Sequence, residues 1–242
     1  MKRYSSFKFL GYPENLSALK NKEVVAPVHI RIKPTNICNH DCWYCAYHVS
    51  SLQLGSEMEY RDTIPKEKME EIADDLISMG VKAVTFSGGG EPLLYKHLPG
   101  IMKKLSNGGV QVASLTNGSN LKGKVADAFA KYASWVRISL DGYDNKSYSK
   151  ARGVNIDEFS KLISNMESFA KRKSKCVLGA VYIIDKHNYK HIFQICKQLK
   201  DIGVDHVKLS GVIVGNTEEE GNFYHLEIKK EIQNQIVDAK VL

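Results

Sequence analysis

The sequence predicts an α/β protein: a partial (β/α)6 barrel of parallel strands, open on one side. Three observations predict it. Six short β-rich apolar runs alternate strictly with segments of helical period. The runs are apolar on both faces and separated by helices, the pattern of parallel strands covered by helices. A full eight-unit barrel takes about 250 residues, so six units within 242 residues fit a smaller one. Alternation alone leaves a six-stranded, open, doubly wound sheet as the competing arrangement.

The elements follow in order. Residues 1–27 read as a loosely helical lead-in that would cover an edge strand. Residues 28–242 read as one barrel domain, with no repeat, low-complexity tract or linker dividing them. The first strand is Val28–Thr35. In the first helix, "PKEKMEEIADDLISMG", Met69, Ile72, Ala73, Leu76 and Ile77 line one face, with Pro65 in the opening turn and Gly80 as the stop. Strands Ala83–Gly88, Val110–Asn117, Trp135–Asp141, Cys176–Ile184 and His206–Val214 follow, alternating with helices at Leu98–Leu105, Val125–Tyr132, Phe159–Phe169, Tyr189–Leu199 and Leu226–Val237. "NTEEEGNFYH" (Asn216–His225) reads as a solvated loop, with a substrate-side lid as the alternative.

The net charge is +7, but the lysines are spread along the chain. The densest run, Lys171–Lys175, falls at a helix end, where cations suit the negative pole. That argues against a nucleic-acid partner. The longest apolar run, Cys176–Ile184, is too short to cross a bilayer, and the first residues never reach a signal-peptide core. Five cysteines, an odd number in a chain that needs no staples, indicate a reducing cytoplasm.

Three of those cysteines, Cys38, Cys42 and Cys45, form C-x3-C-x2-C in an enlarged loop between the first strand and the first helix. Pairing any two leaves one over, so metal ligation is the better use. A structural zinc site with His40 or His48 as fourth ligand is one reading. A three-thiolate [4Fe–4S] cluster with one open iron is the other, and it accounts for the missing second cysteine pair. After the second strand comes "SGGGEP" (Ser87–Pro92), neither a P-loop nor G-x-G-x-x-G. Its glycines bare the backbone at a strand's carboxyl end, and Glu91 offers an acceptor to an ammonium group. "TNG" (Thr116–Gly118), "SLDG" (Ser139–Gly142) and "ARG" (Ala151–Gly153, read as loop) carry polar groups to the same rim, where barrels build their sites. Cys176 and Cys196 read as small buried hydrophobes.

With C-x3-C-x2-C followed by G-G-E-P, the chain from Val28 to Val214 resembles the radical S-adenosylmethionine (SAM) superfamily. The resemblance implies that Cys38, Cys42 and Cys45 hold a [4Fe–4S] cluster whose fourth iron takes the SAM amine and carboxylate. It places Tyr44 near the adenine and the segment Gly88, Gly89, Gly90 and Glu91 at the SAM amine, the pair of contacting glycines being open by one residue. It sets Ser139 beside the ribose with Asp141 assisting, and it gives Arg152 the SAM carboxylate. Asn117 is a looser correspondence, and backbone around Ala180–Tyr182 would meet the adenine. No side chain is assigned as catalytic, because the chemistry is centred on the cofactors.

The activity so implied is reductive cleavage of SAM to a 5′-deoxyadenosyl radical that takes hydrogen from a small metabolite, sugar or peptide. A low-potential donor such as flavodoxin or ferredoxin would supply the electron. "SLDG" with its downstream arginine resembles the branch of peptide-maturing and cofactor-building members. No cysteine follows Cys196, so their C-terminal auxiliary-cluster domain is expected to be missing. An activase of glycyl-radical enzymes is an alternative. So is a non-catalytic zinc- or cluster-binding module, although Glu91, Ser139 and Arg152 argue against it.

Overall fold

A computed structural model describes residues 7–49, 58–215 and 217–242. Six strands form its sheet: β1 (His29–Ile32), β2 (Ala83–Phe86), β3 (Gln111–Thr116), β4 (Ala133–Ser139), β5 (Val177–Ile184) and β6 (His206–Gly211). All neighbours are parallel and the spatial order is the chain order, β1 to β6. That order decides between the two architectures. A doubly wound sheet reverses its strand order at a switch point, and this sheet has no reversal. It winds in one direction and stops unclosed, with β1 and β6 as free edges, as the partial barrel requires.

Among the described residues the helices are α1 (Pro13–Asn21), α2 (Lys66–Ser78), α3 (Leu98–Asn107), α4 (Gly123–Tyr132), α5 (Asn145–Arg152), α6 (Glu158–Ala170), α7 (Ile192–Asp201), α8 (Glu218–His225) and α9 (Lys229–Ala239). Each crossover helix buries the stripe its periodicity marks: Met69, Ala73 and Leu76 on α2, Leu98, Ile101, Met102 and Leu105 on α3, Ile192, Ile195 and Leu199 on α7. These stripes close over Val84, Phe86, Val112, Val136, Ile138, Leu178, Ala180 and Tyr182 from the four inner strands. The edges differ. No residue of β6 is fully buried, and β1 buries only Ile32.

Two expectations need correction. "ARG" is not loop: Ala151 and Arg152 close α5, which a capping box of Asp144 with Ser147 starts and Gly153, at φ +61°, stops. Residues 217–225 are not an irregular loop either. Thr217 and Glu220 form a second capping box, and α8 follows from it with every residue at least partly exposed. Asn216 lies outside the described residues. Cys176 is buried as expected, whereas Cys196 on α7 is half-buried.

Candidate active site

The cysteine loop leaves the carboxyl end of β1 and is pinned at both ends. Thr35 pairs with Thr63 across an isolated antiparallel bridge, their hydroxyls 2.8 Å apart, and Asn36 N–H donates to the Asp62 carbonyl at 2.8 Å. The glycine run lies directly against this stretch. Gly90 N–H donates to Thr35 O and Glu91 N–H to Ile37 O, both at 2.9 Å. A Cβ on Gly90 would stand 2.1 Å from Ile37 O, and one on Gly89 would stand 2.1 Å from Asn36 Oδ1. Gly90 is therefore required first by the close approach of the cysteine-loop backbone, a packing duty the sequence did not reveal, whereas Gly89 faces the movable Asn36 side chain.

The other flank of the loop rests on the end of α5. Asp41 N–H donates to Arg152 O at 2.8 Å and Trp43 N–H to Ala151 O at 3.4 Å. Gly153 makes room, since a Cβ there would meet Asp41 O at 2.6 Å. Between these supports Cys42 to Val49 turn tightly. Cys45 N–H donates to Cys42 O, and the N–H groups of His48 and Val49 both donate to Cys45 O.

All three thiols are free and half-buried. Burial pushes the Cys38 thiol up to about 11, and nearby Cys42 and Cys45 add to it. Burial raises Cys42 as well, against the pull of Arg152. Two sulfurs receive donors: Cys38 from the His40 backbone N–H at 3.5 Å, and Cys42 from Arg152 Nη1 at 3.4 Å. Among the described residues no three His, Cys, Asp or Glu side chains converge as a single metal ion would require. The rings proposed as a fourth zinc ligand turn elsewhere, His40 edge-on to Tyr148 and His48 to Tyr60.

Two buried carboxylates stand at the ends of alternate strands. Glu91 caps a short 3-10 turn, Pro92–Leu94. Its Oε1 accepts Leu93 N–H at 2.9 Å and the Thr116 hydroxyl, and its Oε2 accepts Asn117 N–H at 2.7 Å. Burial nevertheless holds its pKa above the ordinary value. Asp141, one residue past Leu140 and two past Ser139 at the end of β4, accepts the Tyr44 hydroxyl, forms an ion pair with Arg152 and accepts Ile183 N–H at 3.1 Å. Burial raises it too, although Arg152, Tyr44 and Ile183 all favour the ionised form.

The structure thus gathers nearly every residue the sequence singled out, with partners the sequence did not supply. Asn117 Nδ2 donates to Asn39 Oδ1 at 2.9 Å, tying the β3 rim to the cysteine loop. Arg152 turns its two Nη atoms to Cys42 and Asp141. Ser139 ends β4, half-buried, in register with Val181. Asp185 and Asn188 were missed. Asn188, buried, bridges the β4 and β5 ends by donating to Asp141 O at 2.9 Å and Ile183 O at 2.7 Å. The signal was available, since Asp185 follows the fifth strand as Asp141 follows the fourth. Next to this bridge opens a cavity of about 410 Å³ lined by Trp43, Asp141, Tyr143, Lys146, Lys150 and Asp185 among others.

Residues 32–185 match the family model described as the radical SAM superfamily. The chain belongs to the radical SAM superfamily. It is thereby a member of an enzyme family whose cofactors are a [4Fe–4S] cluster and SAM. The chain is 30% identical over 184 residues to a probable GTP 3′,8-cyclase of Sulfolobus acidocaldarius, covering 74% of this chain and 54% of that protein. It is 26% identical over 199 residues to a GTP 3′,8-cyclase of Psychromonas ingrahamii, covering 81% and 56%. The radical SAM chain therefore spans little more than half the length of these relatives. Its fold is that of Streptococcus suis SuiB bound to S-adenosylmethionine, with a TM-score of 0.68 at 20% identity over 98% of this chain and 54% of that one. No helix among the described residues is long and apolar enough to cross a membrane.

Proposed function

We propose that this chain cleaves SAM reductively at a [4Fe–4S] cluster held by Cys38, Cys42 and Cys45, and that the resulting 5′-deoxyadenosyl radical takes hydrogen from an anionic substrate. The observation that carries this reading is the trio of free, mutually interacting thiols on one braced loop, two of them already receiving hydrogen-bond donors. When bound, the cluster would supply the single electron that breaks the sulfonium C–S bond, the donor being a low-potential protein such as flavodoxin or ferredoxin.

The chain's own residues hold and orient. Glu91 spends three acceptor positions on Leu93, Thr116 and Asn117, which leaves about one of a carboxylate's four for the SAM amine. Its larger task is to lock the β2 and β3 ends beneath the cysteine loop. Backbone at Gly88–Gly90 and the side chain of Ser139 line the rim for the amino-acid and ribose parts, and Tyr44 is fixed by Asp141 beside them. Arg152 is a cation in contact with Cys42 and the group suited to the SAM carboxylate.

The cavity beside Trp43 is the substrate's proposed place. Lys146 and Lys150 lie one turn apart on α5, while the acids near them are engaged: Asp144 accepts Ser147 N–H and Asp185 accepts His187 N–H, both at 2.7 Å. Two lysines and exposed aromatic surface suit a nucleoside phosphate, and the relatives named as GTP 3′,8-cyclases make nucleoside triphosphates the first substrates to try. The test is anaerobic purification with iron and sulfide analysis, then dithionite, SAM and a nucleoside triphosphate panel. The parent is expected to carry iron and release 5′-deoxyadenosine. Cys42→Ala should lose most iron and all product, and Lys146→Ala/Lys150→Ala should keep iron but raise the triphosphate KM about tenfold, roughly 1.4 kcal/mol. A colourless parent that makes no 5′-deoxyadenosine refutes the reading.

A further inference from the structure

Arg152 is only 5% exposed, and its fork reaches a thiol and a carboxylate at once. Nη1 donates to Cys42 Sγ at 3.4 Å, and Nη2 pairs with Asp141, whose Oδ1 accepts Ile183 N–H and whose Oδ2 also takes the Tyr44 hydroxyl. An ion pair serving stability alone has no need of a thiol. Here the carboxylate holds a cation directly on one of the three sulfurs, and the aromatic beside the last cysteine locks the carboxylate in turn. The group is out of water, so its field is weakly screened by solvent or salt.

Charge and hydrogen bonds at the sulfurs are the levers that set an iron–sulfur potential. Resting on the cluster reading above, we infer that Arg152, positioned by Asp141, raises the potential at which a cluster on Cys42 accepts its electron. Arg152 lies in contact with the ligand sulfur, and Asp141 lies behind it. The nearer positive charge therefore dominates, and the added electron is stabilised. The redox step is the gain of one electron from an external low-potential donor, with no bond made or broken. Arg152 acts through Cys42 and is a positioning residue. Asp141 has the same standing, one contact further out.

The experiment is an EPR-monitored redox titration of the reconstituted full chain without SAM, using dithionite and mediators. Leaving SAM out separates this effect from any grip on the SAM carboxylate. At the potential where the parent is half reduced, Arg152→Gln should show a reduced-to-oxidised ratio about tenfold lower, equivalent to roughly 59 mV for one electron. The paired variant Asp141→Asn/Arg152→Gln removes both charges at similar volume and should shift in the same direction. A parent-like potential in either variant with full iron overturns the inference. A parent that binds no iron sinks the cluster reading itself, which is a different result.

Discussion

Two carboxylates, Glu91 after β2 and Asp141 after β4, are buried to the same degree on one rim, at 3% exposure each. Their partners differ in kind. Glu91 is hydrogen-bonded to neutral donors from its own turn and from the β3 end, and among the described residues it forms no ion pair, the Arg152 charge acting on it only weakly and without contact. Asp141 is held by a guanidinium that also touches a cysteine, and by a tyrosine from the cysteine loop. The first arrangement joins strand ends and supports the loop from below. The second brings charge to the sulfurs. Burial alone does not distinguish architecture from chemistry, whereas the charge of the partner does.

The comparison breaks most severely at Asp141. Asp141→Asn leaves Arg152 in the interior without its counter-ion, and stranding a buried charge this way costs about 3–5 kcal/mol. Urea unfolding of the iron-free protein should show that loss, and Asp141→Asn/Arg152→Gln should recover most of it, because a neutral pair of similar shape strands nothing. If the single and paired variants are equally destabilised, the ion pair is not what the site depends on. Glu91→Gln should cost less. Its amide nitrogen turns a donor toward Leu93 N–H, Thr116 or Asn117 N–H, so one charge-assisted bond becomes a clash of donors, worth about 2 kcal/mol. The same denaturation series measures it, and a loss as large as that of Asp141→Asn would erase the distinction between the two sites.

Why so much of the frame was legible, and so little of this distinction, has a physical origin. Buried parallel strands and their covering helices repeat the same apolar patterns, so β2, β3 and β5 fall within two residues of their expected bounds. The eight-residue helices α5 and α8 escaped because their signal lies in the caps, Asp144 with Ser147 and Thr217 with Glu220, and because α8 buries no residue to give a period. At the site, motif spacing marked Glu91, Asp141 and Arg152 as polar rim residues. It did not pair them. Whether Thr116 reaches Glu91 depends on the β2–β3 register, which sets Phe86 beside Ser114, and a shift of one residue would turn Thr116 away. Arg152 reaches Asp141 only because an unexpected helix carries it back over the β4 end. Asp185 and Asn188 were overlooked because they belong to no motif, although they complete the same rim.

The finest test of the comparison is its pH dependence. Burial holds Glu91 above the ordinary 4.5 even though Asn117, Thr116 and Leu93, and more weakly the Arg152 charge, pull it back. From pH 4.5 upward to that raised value, the folded protein keeps a proton that the unfolded chain has released. Folding therefore loses stability as pH rises through the window. Glu91→Gln has no such proton. Its deficit against the parent should be widest at pH 4.5 and narrow as pH rises above it, by at most about 1.4 kcal/mol per pH unit. Asp141 is raised in the same direction, but it is present in both proteins and cancels in the difference. Urea midpoints at pH 4.5 and pH 7 decide the matter. A gap that stays constant would mean that the groups around Glu91 fully offset its burial, and the contrast with the cation-held Asp141 would lose its electrostatic basis.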